Sequence, residues 1–243
     1  MIGTKLGIYS QVTATPFYFG NALITDGTDD YVSFAPITEL SGASKFSLHY
    51  WTEVDSVKFS TFGSNSTAKE RFSISKANDS NLYFIASNGS IGLGSTSYSS
   101  FSGQKVLISM VFDGTLSGNS NRLKGYVNSV QQTLSFTGTI QSTISSNQVV
   151  SDEFFVNRVE IISQFGDAKY NELAMVNGAS TLSEIQAFYN NGDGNFAADS
   201  FSNLLSNWKC NEANGATTLV DELGNYNGTL NNFTTPPAYF APF

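Results

Sequence analysis

Residues 22–34, ALITDGTDDYVSF, put Asp26, Asp29 and Asp30 within five positions of one another. Three carboxylates so close can turn the chain, hold a hard cation or move protons. The flanking residues favour a turn. Leu23 and Ile24 precede the cluster, Tyr31, Val32 and Phe34 follow it, and Asp26-Gly27 is a strong turn dipeptide, so the stretch reads as a β-hairpin. A calcium ion takes about 6 to 8 oxygen ligands, so a cation site here needs partners from elsewhere. Asp221, Asn225 and Asn227 could supply them if the two ends of the chain adjoin. The expectation is therefore no cofactor, with a structural calcium on Asp26, Asp29 and Asp30 as the alternative.

Other candidate chemistry is thinner. Asn191, Asp193, Asn195 and Asp199 in NNGDGNFAAD look superficially like a calcium loop, but counting from Asn191 puts Phe196 where the EF-hand needs Gly and Ser202 where it needs Glu. A polar linker is the better reading. SDEFF and VDELG hold adjacent acids, whose side chains point to opposite faces of a strand. His49 lies between Leu48 and Tyr50 with no nucleophile motif beside it, which suits a strand histidine packed on a sheet. Cys210, the single cysteine, excludes an internal disulfide and, with a single histidine, a Cys/His zinc site. It reads as a small buried hydrophobe.

The elements that hold these residues follow from composition and period. Ser, Thr, Asn and Gly abound, and 20 Phe and 11 Tyr suit pleated, half-buried surfaces. Period-2 runs such as KFSLHYW, RFSISK, NLYFIAS, KVLISMVF and KYNELAMV alternate with turn clusters such as ASNGSIG and DGTLSGNSN. The class is all-β: two packed antiparallel sheets. One stretch departs from this, STLSEIQAFYNNG, where Leu182, Ile185, Phe188 and Tyr189 share a helical face. Thr181 and Glu184 form a capping box there, with Gly192 as the stop. The chain divides into an arm at 1–20, one sandwich at 21–233 and a Pro-rich extended tail at 234–243 whose prolines forbid a central strand.

Charge and hydropathy narrow the partners. A formal charge of -8 with 12 scattered Lys and Arg offers no basic stripe for phosphates, so nucleic acid is not expected. No run approaches 18 apolar residues, so no membrane insertion is expected, and Gly7, Ser10, Gln11, Thr13 and Thr15 break up the N-terminal stretch, which does not read as a secretory signal.

Several stretches together resemble the laminin-G-like, concanavalin A-like domains common in secreted and phage proteins. ALITDGTDDYVSF is similar to that family's opening strand pair, and KFSLHYWTE to the next strand, with its tryptophan at Trp51. VLISMVFDGTLSGNSNRLKGYVNS resembles the central strand, Asp-Gly turn and strand. YNELAMVNGASTLSEIQAFYNNG resembles the late strand and short helix, with Asn171 where the family usually has an aspartate. LLSNWKCNEANGATTLVDELGNYNGTL matches in its spacing of Trp208, Glu212, Asp221, Gly224, Asn225 and Gly228. In many relatives this last stretch precedes the Asp-rich strand, so the order here looks circularly permuted. Segments 21–34 and 204–230 should then be spatial neighbours.

The resemblance implies a concanavalin A-like jelly-roll β-sandwich with one short helix, in which no Glu-x-Asp-x-x-Glu glycosidase triplet is present. The expectation is a non-enzymatic phage virion protein, a capsid decoration, fiber or tail component, made in the host cytoplasm. Its partners are other virion proteins and copies of itself, with cell-surface glycan as a further one. The alternative is a secreted, extracellular carbohydrate-binding module or adhesin. Tyr98 and Phe101, in the polar loop STSYSSFSG, are the expected glycan-stacking rings, the competing reading being that both pack down. Leu6, Ile8, Tyr9, Phe17, Tyr18 and Phe19 in the arm are the expected particle anchors, because so apolar an arm needs a partner surface.

Overall fold

The computed structural model describes residues 19–67, 70–146, 154–159, 164–233 and 240–243. Among these residues two antiparallel sheets face one another. The first runs, in spatial order, Val130–Gln131, Leu123–Val127, Lys105–Asp113, Lys45–Glu53, Lys169–Val176, Asn21–Ile24 and Phe240–Pro242, with Leu204–Trp208 also paired to Lys169–Val176. The second runs Ser135–Gly138, Gly92–Ser97, Asn81–Ala86, Glu70–Lys76, Ser60–Thr67, Phe154–Val156, Tyr31–Phe34, Gly228–Asn231 and Thr218–Leu219. The Pro-containing C-terminal segment sits at a sheet edge, where a missing N–H is harmless.

The expected hairpin at 22–34 is not formed. Asn21–Ile24 belongs to the first sheet, pairing with Lys169–Val176 and Phe240–Pro242. Tyr31–Phe34 belongs to the second, between Phe154–Val156 and Gly228–Asn231. Asp26, Asp29 and Asp30 therefore lie on a sheet-to-sheet crossover. A six-residue link carries the chain across the sandwich, and each strand finds its hydrogen bonds with distant partners. Segments 21–34 and 204–230 are neighbours as expected: Leu230 pairs with Val32 across the second sheet.

The alternation in KFSLHYW has two buried destinations. Phe46, Leu48 and Tyr50 enter the core between the sheets, where Phe34, Phe62, Phe154 and Trp208 pack ring against ring. Trp51 faces the other way, into a second cluster with Leu107, Val111, Tyr126, Ile185, Phe188 and Phe201. That outer face is covered by the helix Leu182–Tyr189, whose capping box forms as expected, Thr181 and Glu184 exchanging side-chain and backbone hydrogen bonds. Two details differ. Leu182 is 47% exposed, because the first turn overhangs the sheet. The helix ends at Asn190, in the left-handed region at φ 45°, before Gly192 is reached.

Candidate functional site

The crossover loop consumes much of its own polarity. The Asp26 carboxylate accepts a hydrogen bond from the Thr28 amide at 2.8 Å, and Asp30 accepts one from the Asp26 amide at 3.2 Å. Gly27, at φ 77°, makes the turn that brings these groups round. Beneath the loop, buried Asn157 donates to the carbonyls of Asp30 at 2.8 Å and Gly166 at 2.9 Å and accepts from the Tyr170 hydroxyl at 2.8 Å. Gly166 is required at this spot, since a Cβ would lie 2.3 Å from the Asn157 side-chain oxygen. The Asp29 carbonyl accepts from Asn232.

Carboxylate oxygens of Asp26, Asp29 and Asp30 lie within 4.8 Å of one another, with Asp26 and Asp29 exposed and Asp30 buried. Burial first, and then the neighbouring Asp26 charge, push the Asp30 carboxyl up to about 6. An all-oxygen, triply acidic set fits a hard cation such as calcium, but one loop supplies only part of the usual shell. The residues thought able to complete it do not converge. Asp221 accepts from the amides of Asn207, Leu223, Asn225 and Tyr226, and the Asn227 side chain accepts from the Asp221 amide. Asp221 organises its own turn. An adjoining pocket of about 230 Å3 is lined by Asp26, Lys58, Phe165 and Asp167 among others, and Lys58 is paired to Asp167. Asp29 and Asp30 do not line it.

A second concavity lies at the far edge of the sandwich. After Leu123–Val127 the chain reverses through Asn128 and Ser129, both at positive φ (50° and 60°), a type I′ reversal matched to strand twist. It then leaves the first sheet at Gln131 and enters the second at Ser135. The two sheet edges are thus bridged by one short segment, and a cleft of about 280 Å3 opens between them. Leu123, Leu134 and Phe136 form its apolar wall, with Phe136 half-buried against the core. Ser120, Lys124, Gln131, Gln132 and Thr133 supply the polar side. Gln132 spends its side-chain amide on the Val130 carbonyl. Ser120, Lys124, Gln131 and Thr133 make no side-chain hydrogen bond or ion pair among the described residues.

The expected aromatic pair is corrected. Tyr98 is fully buried, and Phe101 packs beside it with ring centroids 5.9 Å apart. At the 3₁₀ turn Ser99–Phe101 the Tyr98 ring goes inward, 5.7 Å from the buried Lys76 ammonium, while Phe101 is half-buried against the core. The serines around them take the solvent positions. A buried Tyr98 cannot stack on a sugar. Of the expected anchors, Leu6, Ile8, Tyr9, Phe17 and Tyr18 lie outside the described residues. Phe19 packs on Trp51 (4.7 Å) and Phe243 (5.4 Å) under the Lys105 ammonium (3.9 Å), so its ring belongs with the sandwich and not with a free arm.

His49 is buried on the sheet as expected, while Lys76 and Glu172 are buried polar groups that the sequence reading did not single out. His49 meets the Ser180 hydroxyl at 2.9 Å. Burial depresses the imidazole to about 3, and Phe201 stacks on its ring at 4.3 Å. Lys76 donates to the carbonyls of Ser56, Lys58 and Ala77, and burial lowers its ammonium to about 8. Glu172 sits in a bulge at φ 45°, bonded by Asn207, with its carboxyl pushed up to about 7 by burial. Asn171, where a family aspartate was expected, is also buried and donates to the Asn21 and Lys209 carbonyls. His49, Asn171 and Glu172 lie in the first sheet, which is buried on both faces, whereas Lys76 ends a strand of the second.

No protein-family model matches the chain, and no curated protein matches it. Solved structures do. A Bacteroides ovatus protein inferred to bind carbohydrate aligns over 95% of this chain at TM-score 0.66 and 15% identity. The chain spans 62% of that protein's length. A heptameric SAP-like pentraxin from Limulus polyphemus aligns over 89% of this chain and 96% of its own, at 11% identity and TM-score 0.45. Domains LG4-5 of the mouse laminin α1 chain align over 68% of this chain and 44% of their own, at 8% identity and TM-score 0.47. With the strand order above, the likeness to the Bacteroides ovatus protein establishes the fold as an all-β, concanavalin A-like jelly-roll sandwich of two antiparallel sheets.

Proposed function

We propose that this chain is a non-catalytic carbohydrate-binding sandwich whose ligand sits in the edge cleft between Leu123–Lys124 and Gln131–Phe136. The observation that carries this reading is the cleft's chemistry: four polar side chains with no partner among the described residues, beside a half-buried phenylalanine. Sugars present hydroxyls that both donate and accept, and an apolar C–H face. Amides and hydroxyls answer the first and an aromatic edge the second. The shared fold with a protein inferred to bind carbohydrate supports the same reading.

The cleft is open, and one sugar unit of about 12 non-hydrogen atoms at about 0.3 kcal/mol each would bind with a Kd of about 2 mM. Such a site works through many copies. Display on a virion, as a decoration, fiber or tail component, would raise apparent affinity by about 100-fold to 10,000-fold where geometry allows. A secreted adhesin would use the same cleft. A hard cation on Asp26, Asp29 and Asp30 would then be a structural brace, distant in role from the sugar. A glycan array probed with the multimerised protein and with a Gln131→Ala/Thr133→Ala double variant tests the proposal. Binding lost in the variant, at unchanged melting temperature, is the expected result; binding unaltered by the variant, or absent at any valency, contradicts it.

A further inference from the structure

We infer that the edge cleft selects a sugar carrying one anionic substituent, a carboxylate or a sulfate, with Lys124 as its counter-ion. This rests on reading the cleft as a sugar site and adds the charge of the sugar. Among the described residues, Lys124 differs from the other cations of this chain in having no partner. The formal charge is -8, so acids outnumber bases and a cation without a partner is unusual. Lys45, Lys58, Lys169 and Lys209 are each paired to a carboxylate at 2.8–3.1 Å. Lys76 is held by carbonyls, Lys105 and Arg158 lie over aromatic rings, and Arg71 reaches the Ser75 hydroxyl. Among the described residues Lys124 has no such partner, and it lines the cleft.

Its surroundings keep it that way. Lys124 pairs across the first sheet with Val111, so no acid stands opposite it, and no acidic side chain lines the cleft. Arg122, two residues earlier, gives its guanidinium to the Leu116 and Ile140 carbonyls, which bond it without cancelling its charge. Two positive charges thus stand at or beside a cleft that no acidic side chain lines, on a protein of net charge -8. A neutral sugar would leave that ammonium unused. An anionic group within reach gains a charge-assisted hydrogen bond, while Gln131, Thr133 and Ser120 remain for hydroxyls.

Calorimetric titration with matched sugars tests this: methyl glucuronide against methyl glucoside for the carboxylate, galactose-6-sulfate against galactose for the sulfate. Each acid should bind about 10-fold tighter than its neutral twin, and 500 mM salt should erase most of that gap. Lys124→Met, which keeps the apolar stem, should bring the acid and neutral twins of each pair to equal affinity; Lys124→Arg should restore the preference. Equal binding of acid and neutral twins overturns the charge assignment while leaving the sugar site standing. Absence of binding by all four overturns the sugar site itself. A preference surviving Lys124→Met would move the anion elsewhere and also overturn the inference.

Discussion

The acidic crossover loop and the edge cleft are both polar links between the two sheets, yet they differ in what their polar groups have left to offer. At the loop, Asp26 and Asp30 accept backbone amides, and the carbonyls of Asp29 and Asp30 are taken by Asn232 and Asn157. At the cleft, Ser120, Lys124, Gln131 and Thr133 have no partner among the described residues. Conspicuous charge in a sequence marked a joint of the fold. Plain amides and hydroxyls marked the surface with free bonding capacity.

That contrast can be broken by substitution, and the largest effect belongs to the joint. Asn157→Ala leaves the Asp30 and Gly166 carbonyls without their donor in a buried setting and places alanine at φ 68°. Unfolding in urea should show a loss of about 3–5 kcal/mol, with cleft affinity unchanged in the folded fraction. A smaller loss would mean that the loop is not braced from beneath.

Glu172 supplies a buried carboxylate outside both regions. Its folded value of about 7 stands above the ordinary 4.5, so its contribution to stability is present at low pH and is lost as pH rises through 7. Glu172→Gln should therefore gain about 2 kcal/mol at pH 8.5 and nothing at pH 4, read from thermal melts at the two pH values. Asp30 follows the same sign at smaller scale. Its carboxyl, raised from 3.8 to about 6, costs stability above that pH, and solvent screening reduces the effect. Asp30→Asn should gain about 1 kcal/mol at pH 7.5 and match the parent at pH 4. Calcium should raise the melting temperature of the parent more than that of Asp30→Asn if the loop takes a cation. An equal response would place any calcium elsewhere.

The smallest stability effect should come from the cleft. Gln131→Ala and Thr133→Ala remove exposed side chains that bond nothing among the described residues, and chemical unfolding should shift by no more than about 0.5 kcal/mol. A large shift would make these residues structural and weaken the case for a binding surface.

Much of the fold was legible because its signals are local. Thr181 and Glu184 lie three residues apart and cap the helix as their spacing requires. The alternation around Trp51 marks a strand even though both its faces are buried. What failed was tertiary. Asp26-Gly27 turns the chain, but whether the next strand pairs back or crosses to the other sheet depends on partners more than a hundred residues away. Tyr98 sits among serines that suggest a surface loop, and only the packing of the 3₁₀ turn shows that the ring goes inward. The cleft had no sequence signature beyond Gln-Gln-Thr after a tight reversal, because its two walls come from the edges of different sheets.

The central claim is that recognition occurs at the cleft and not at the aspartates, and a titration of 15N-labelled protein with methyl glucuronide, followed by backbone amide shifts, addresses it residue by residue. Binding at the cleft gives saturable shifts confined to residues 120–136. Shifts centred on residues 26–30 and 164–167, or none at tens of millimolar sugar, would contradict it.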